Sequence, residues 1–336
     1  MRFCIIGAGS WGTTLADLLC RNQQQVALWS WEPEVALEIM QKRRNPYFVS
    51  DLLLHERMFA THDLSEALKA AEVVIFSVPS SYLRNIAKQV RETLHCPEMI
   101  LNTAKGLELK SGFRLSQVLL EVFGVKENSP QDCIAVLSGP NLASEVALKK
   151  LGAAVIGCPN TCIAEKMQAS FSCPSFRVYR HFDRTGIELG GALKNVFAIG
   201  AGIVDGFELG DNAKAAYLTR ALHELVRLGA KLGGNNQTFY GLSGLGDLIA
   251  TSSSPLSRNY KLGFELSKNQ YLEPYLSSSR MVVEGVPTTK IAYEWGKKLN
   301  ISLPITAEIY NILFEGKSPF EAIKDLMQRS LKDEEG

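Results

Sequence analysis

Arg2-Phe3-Cys4-Ile5-Ile6, followed at once by Gly7-Ala8-Gly9-Ser10-Trp11-Gly12, is the stretch whose reading decides the fold. A short apolar run leads into G-x-G-x-x-G, and residues 13–21 continue with a helical pattern, so strand, turn and helix follow in the order the motif needs. The first glycine makes the tight turn, the second lets the backbone approach a pyrophosphate, and the third lets helix and strand pack closely, with phosphate at the helix N-terminus. A second apolar run, Val26-Ala27-Leu28-Trp29, comes next, and Glu32 stands 20 residues after Gly12, where an acid would read an adenosine ribose. Gly7, Gly9, Ser10, Trp11 and Gly12 are therefore expected at a dinucleotide, with the Trp11 ring either stacking over the ligand or simply packing.

Further runs of strand length at 73–78, 99–103, 133–138 and 153–158 alternate with helical stretches such as 83–94 and 113–123. That alternation predicts an α/β protein with a parallel, doubly wound sheet covered on both faces. Ligands bind such sheets beyond the carboxyl ends of the strands. Those ends here read Ser77-Val78-Pro79-Ser80, Asn102-Thr103-Ala104-Lys105-Gly106 and Ser138-Gly139-Pro140-Asn141. Lys105 at this edge suits a phosphate or a polarised carbonyl oxygen, and it suits equally a solvated loop.

Near residues 176–179 the alternation stops, and from Ile187 onward the pattern is helical, which predicts a Rossmann-type domain over 1–180 and an all-helical domain over 181–336. The second domain opens on a run of small and apolar residues, Gly190-Gly191-Ala192-Leu193-Lys194-Asn195-Val196-Phe197-Ala198. An ammonium in such company loses hydration, and its pKa falls toward the range of proton transfer, unless the side chain snorkels to water. Leu245-Gly246-Asp247-Leu248 places a carboxylate in an apolar, glycine-bracketed stretch, where burial demands a cationic partner; Lys194 is the natural one. Ser257-Arg258-Asn259 ahead of a helix from Tyr260 to Leu266 reads as a phosphate cradle, or as an N-cap beside an exposed arginine. Glu284, an isolated acid before a turn, has the look of a solvated loop residue, and His181 and His223 have no partner at motif spacing.

Composition limits the partners. The chain has 336 residues, 46% hydrophobic and 21% charged, with 36 Lys and Arg against 35 Asp and Glu. That balance proposes neither nucleic acid nor an anionic membrane, and leaves a small anionic ligand open. The apolar start is too short for a secretory segment, and no later stretch spans a bilayer without charge or glycine, so a cytoplasmic protein that is not membrane-inserted is expected. The seven cysteines form no CxxC pair, and no metal site is expected.

Taken together, Gly7 to Thr13, Asn102 to Glu108, Leu137-Ser138-Gly139-Pro140, Glu188 to Val196, Gly244 to Leu248, Ser257-Arg258-Asn259 and Val283-Glu284-Gly285 closely resemble the bacterial NAD(P)-dependent glycerol-3-phosphate dehydrogenases. The resemblance implies a Rossmann domain joined to a helical domain like the C-terminal one of 6-phosphogluconate dehydrogenase, commonly in a homodimer. It implies interconversion of dihydroxyacetone phosphate and sn-glycerol 3-phosphate with NAD(H) or NADP(H), for glycerophospholipid synthesis. Carried over by position, Lys194 is the proton donor and acceptor, Lys105 steadies charge on the reacting oxygen and Asp247 orients Lys194. Lys105, Gly139, Lys194, Asp247, Ser257, Arg258 and Asn259 line the substrate, while Ser10, Trp11, Lys105, Ala143, Arg258, Val282 and Glu284 face the dinucleotide. Two positions depart from the family pattern. Asn141 stands where Thr or Ser is usual, its amide still expected to hydrogen-bond substrate, and Trp31 stands where Arg or His is usual, with no cation for a 2′-phosphate but a ring that can stack on adenine. Both cofactors are then expected to serve, with no more than about a tenfold preference for NADPH. The alternatives are a hydroxyacid dehydrogenase of the same architecture, presenting a carboxylate to Arg258, and an NAD(H)-sensing protein without turnover.

Overall fold

A computed structural model describes residues 1–94, 97–268, 282–331 and 333–334. Eight strands, β1 (Arg2–Ile6), β2 (Gln25–Trp29), β3 (Met58–Thr61), β4 (Val73–Phe76), β5 (Met99–Asn102), β6 (Ile134–Ser138), β7 (Gly152–Gly157) and β8 (Phe176–His181), make one sheet in the order β3-β2-β1-β4-β5-β6-β7-β8. β1, β4, β5 and β6 are buried almost throughout, as near-continuous apolar runs covered on both faces must be. The order reverses between β1 and β4, and the glycine loop leaves β1 at that point.

The expected parallel pairing holds through β6 and is corrected at β7, which runs antiparallel to β6 with Val136 opposite Gly157 and Ser138 opposite Val155. The link between them carries only a five-residue helix, Ala143–Ala147, and it doubles back at the sheet edge instead of crossing a face. β8 then pairs parallel to β7 and forms the sheet's last edge. Its alternation of buried Phe176 and Val178 with exposed Arg177 and Tyr179 is that of a strand covered on one side, so it does not stand out as an apolar run.

The helices α1 (Ser10–Arg21), α2 (Pro33–Lys42), α3 (Leu64–Leu68), α4 (Ser80–Leu94), α5 (Leu115–Phe123), α6 (Ala143–Ala147) and α7 (Thr161–Phe171) alternate with the strands. After β8 come α8 (Arg184–Gly206) and α9 (Asp211–Lys231), a 3-10 turn (Asn236–Tyr240) and a π turn (Leu242–Gly246). α10 (Asp247–Ser252), α11 (Arg258–Ser267), α12 (Gly285–Lys298), α13 (Pro304–Phe314) and α14 (Pro319–Met327) complete the described helices. Helix α8 is the axis of this half. It packs on α9, α10, α11 and α12, and also on β6 and β7. At 23 residues it is long and apolar enough to cross a membrane, but its apolar window is wholly buried inside the protein.

Where α8 meets α11 the backbones nearly touch. A Cβ on Gly202 would lie 2.0 Å from the Tyr260 carbonyl oxygen, and one on Gly263 would lie 1.8 Å from that of Ile199. A buried ionic network closes the seam between the sheet and α8. Arg184 makes a bidentate pair with Asp132 at 2.7 and 2.9 Å, while Glu188 accepts from Arg114 at 3.1 Å and from the Ser116 backbone N–H at 2.7 Å. The helix crossing is the more easily tested contact. Gly263→Ala forces the Ile199 carbonyl away and is expected to cost about 3 kcal/mol of stability, the upper range for overpacking a core. An unchanged denaturation midpoint would rule out this close approach.

Candidate active site

The carboxyl edge of the sheet faces α8 and the π turn, and the charged residues of both halves meet there. Glycines make the meeting possible. A Cβ on Gly190 would stand 2.9 Å from the Ser243 carbonyl oxygen, and one on Gly191 would stand 2.5 Å from Ser138 Oγ at the end of β6. The π turn and the strand end can therefore press against α8 one turn before Lys194, and the π turn delivers Asp247 as the first residue of α10.

Lys194 is 6% exposed and Asp247 2%. Lys194 Nζ donates to Asp247 Oδ1 at 2.8 Å and also to Thr251 Oγ1; Lys105 Nζ donates to Asp247 Oδ2 at 2.7 Å and to the Gly139 carbonyl at 2.7 Å. One carboxylate is thus shared by two ammoniums. Burial lowers the Lys194 pKa to about 8; the neighbouring Lys105 charge pushes the same way, and Asp247 opposes both. For Asp247, burial alone would raise the pKa, but the two lysines outweigh it and hold the carboxyl below its ordinary value. The snorkelling alternative for Lys194 is excluded by this geometry.

Lys105 is held from behind as well, since Asn195 Nδ2 donates to the Lys105 carbonyl at 2.9 Å. Asn259 Nδ2 donates to Asn195 Oδ1 at 2.9 Å, and Asn259 Oδ1 accepts from the Gly285 N–H at 2.9 Å. Asn195 and Thr251 are the members that sequence reasoning missed. Each carried a positional signal, Asn195 as the neighbour of Lys194 and Thr251 one helical turn beyond Asp247.

The remaining residues fall into place unevenly. Ser257 caps α11, its hydroxyl accepting from the Tyr260 N–H at 3.3 Å, and Arg258 is the first helical residue, donating to the Val282 carbonyl at 2.6 Å. Glu284 is no solvated loop residue. Its carboxylate accepts from the Ser80 N–H at 2.9 Å and the Ser80 hydroxyl at 2.6 Å at the start of α4, and burial raises its pKa against those hydrogen bonds and the Arg258 charge. Gly139 has φ +132°, a conformation open to glycine, and its turn directs Asn141 back at the sheet, where the amide donates to the Ala153 carbonyl at 2.9 Å. One N–H of the Asn141 amide is thus engaged with the sheet, while its Oδ1 is buried without a hydrogen-bond partner.

At the other end of the edge, Gly7 (φ +111°) and Gly12 meet so closely that a Cβ on Gly12 would lie 1.9 Å from the Gly7 carbonyl oxygen, whereas a Cβ on Gly9 would meet nothing within 4 Å. An open backbone face at the middle glycine, at the N-terminus of α1, fits a dinucleotide pyrophosphate. Thr14 Oγ1 hydrogen-bonds the Ser10 carbonyl at 2.8 Å and that of Ala143 at 3.3 Å, which ties Ala143 to this loop. Trp11 Nε1 is buried there without a partner. Trp31 lies one strand away, beyond β2.

Comparison with known proteins agrees along the whole chain. Residues 2–164 match the family model for the N-terminus of NAD-dependent glycerol-3-phosphate dehydrogenase, and residues 183–324 match the model for its C-terminus. The glycerol-3-phosphate dehydrogenase (NAD(P)+) of Syntrophotalea carbinolica is 44% identical over 334 residues, 99% of each chain. That of Listeria monocytogenes is 42% identical, over 99% of this chain and 98% of its own. The crystal structure of glycerol-3-phosphate dehydrogenase from Coxiella burnetii superposes with a TM-score of 0.91 at 33% identity, covering 98% of this chain and 99% of that one.

The shared carboxylate has a measurable consequence. In Asp247→Asn the charge that supports the Lys194 ammonium is gone while burial and Lys105 remain, so Lys194 is expected to titrate below its value of about 8. NMR of 13Cε-labelled lysine would show this, and a Lys194 titration that stayed put or rose would contradict the electrostatic account.

Proposed function

The chain belongs to the NAD-dependent glycerol-3-phosphate dehydrogenase family, and from that premise we propose which of its residues carry the reaction. It is an oxidoreductase that uses NAD(P). The observation that carries the reading is the buried Lys194–Asp247–Lys105 constellation at the carboxyl edge of the sheet. When bound, the reduced nicotinamide supplies hydride to C2 of dihydroxyacetone phosphate. Lys194 as ammonium gives its proton to the oxygen that becomes the C2 hydroxyl, and as the neutral amine it takes that proton back in the oxidative direction. Lys105 steadies negative charge on the same oxygen. Asp247 fixes both lysines and keeps their repulsion in check. Arg258, Asn259 and the start of α11 hold the phosphate away from the reacting carbon, where binding energy serves orientation. Gly139 and Asn141 wall the substrate; Gly7, Gly9, Ser10, Trp11, Gly12, Trp31, Lys105, Ala143, Arg258, Val282 and Glu284 face the dinucleotide.

We place the division between a dinucleotide-binding unit and a catalytic helical unit near residue 180, supported by the sheet's last strand ending at His181 and α8 beginning at Arg184. The setting we propose is a cytoplasmic homodimer making sn-glycerol 3-phosphate for glycerophospholipids. The direct test follows loss of reduced-nicotinamide absorbance with dihydroxyacetone phosphate, unphosphorylated dihydroxyacetone and small keto acids. A preference for a keto acid would remove the phosphate assignment.

Lys194→Met is expected to bind dinucleotide normally and to lower turnover by roughly two to four decades, the usual worth of a positioned acid or base. In the wild type the proton-donating form is lost as pH rises through about 8, so reduction should fall there while oxidation climbs. A mutant within about threefold of wild type, or flat profiles through that range, would discharge Lys194 from the role. Arg258→Ala should act chiefly on KM, at a cost on the order of 2 kcal/mol. Phosphite should stimulate the wild type on unphosphorylated dihydroxyacetone; normal substrate binding by the mutant together with indifference to phosphite would move the phosphate site elsewhere.

A further inference from the structure

We propose that the end of β2 makes this chain a reader of NADH over NADPH, with Glu32 accepting hydrogen bonds from the adenosine ribose hydroxyls and Trp31 flanking the adenine. The proposal rests on the dinucleotide reading of the glycine loop. The two places are joined directly, because the Gly7 N–H donates to the Trp29 carbonyl at 3.0 Å; residues 30–32 therefore leave β2 beside the point where the loop leaves β1. In a Rossmann unit this is where an acid meets ribose hydroxyls and where a cation is needed for a 2′-phosphate.

Glu32 is placed to be that acid. It occupies the N-cap position of α2 but makes no side-chain cap, and its hydrogen bond from a described residue is the long one from Ser30 Oγ at 3.3 Å. No ion pair with a described cation involves it. A free carboxylate at the head of α2 fills the positive end of that helix, which would otherwise attract a phosphate, and Pro33 at the first helical position removes a donor N–H there. Trp31 is 69% exposed yet fixed in direction: its ring stands edge-on to Trp29 at 6.1 Å, and Trp29 is itself anchored by Nε1 donating to the His62 carbonyl at 2.9 Å. A broad aromatic surface held open at a nucleotide-binding edge suits a base.

The basic residues that follow in the chain make other contacts. Lys42, in the last turn of α2, pairs with Glu38 at 2.8 Å, Arg44 donates to the Ser50 carbonyl at 2.9 Å, and Arg57, which precedes β3 at the amino edge of the sheet, donates to Gln23 at 2.6 Å. Arg43 ends α2, a ten-residue helix, and so lies about 15 Å along its axis from Glu32, beyond the reach of one side chain. A 2′-phosphate would meet the Glu32 carboxylate, which no described cation pairs with, a repulsive element of the kind that sets specificity. Sequence alone left room for a preference of up to about tenfold toward NADPH; a Glu32 carboxylate in no ion pair with a described cation, at the head of α2, moves the balance to the other side.

The test measures equilibrium dissociation constants of NADH and NADPH for the full chain, by nicotinamide fluorescence at one pH and ionic strength, independent of turnover. NADH should bind at least about tenfold more tightly. Trp31→Arg should shift the ratio about tenfold or more toward NADPH, and Glu32→Gln should shift it the same way while leaving the far-ultraviolet dichroism intact, since the side chain does not cap α2. His62→Gln, at the end of β3, should leave the ratio unchanged. Equal or tighter NADPH binding by the wild type, a ratio indifferent to both β2-end substitutions, or loss of NADPH binding in His62→Gln would overturn the proposal. Binding of neither nucleotide would overturn the dinucleotide reading itself, and this proposal with it.

Discussion

Two ammoniums on one buried carboxylate set the terms for the rest of the molecule. Burial drives the Lys194 ammonium toward neutrality and would by itself drive the Asp247 carboxyl to protonate; the carboxylate supports the Lys194 charge, and the two lysines hold the carboxylate ionised. The cluster carries a net positive charge, so it is unsatisfied in the sense that matters for chemistry: it favours a ligand oxygen on which negative charge develops. Because the three groups come from the loop after β5, from α8 and from the start of α10, the cluster exists only when sheet and helical half are packed on each other.

That packing rests on small residues. Gly190 and Gly191 admit the Ser243 carbonyl and Ser138 against α8, and Gly202 with Gly263 lets α11 cross the same helix at backbone contact. The position of Arg258 at the head of α11 thus depends on the crossing, as that of Asp247 depends on the glycines upstream of Lys194. Burial of the whole apolar length of α8 is what allows these tolerances to be so narrow.

Local features were readable and long-range ones were not. The glycine loop, the strand runs and the partnership of Lys194 with Asp247 follow from residue type and spacing, since each is dictated by short-range sterics or by the cost of burying a charge. The bond from Lys105 to Asp247 joins residues 142 apart and depends on how the two halves dock, which periodicity does not encode. The direction of β7 was likewise hidden, because an apolar run looks the same whichever way it enters a sheet. The bond from the Asn141 amide to the sheet was hidden for a conformational reason: the left-handed turn at Gly139 decides which way the side chain points. Glu284 looked solvated because its partner, Ser80, lies 204 residues away.

The ionic seam at the start of α8 bears on how the chain is made. Asp132 is 1% exposed, and the arginine that neutralises it follows 52 residues later. On a ribosome adding roughly 5–20 residues per second, the segment around Asp132 exists for seconds before Arg184 emerges, and until then its carboxylate has the Asn128 and Ile134 backbone N–H groups but not the charge that balances it. In the order of synthesis, then, the charge balance of the β6 end is complete only once the first turn of α8 has been made, and the second half of the protein completes the first.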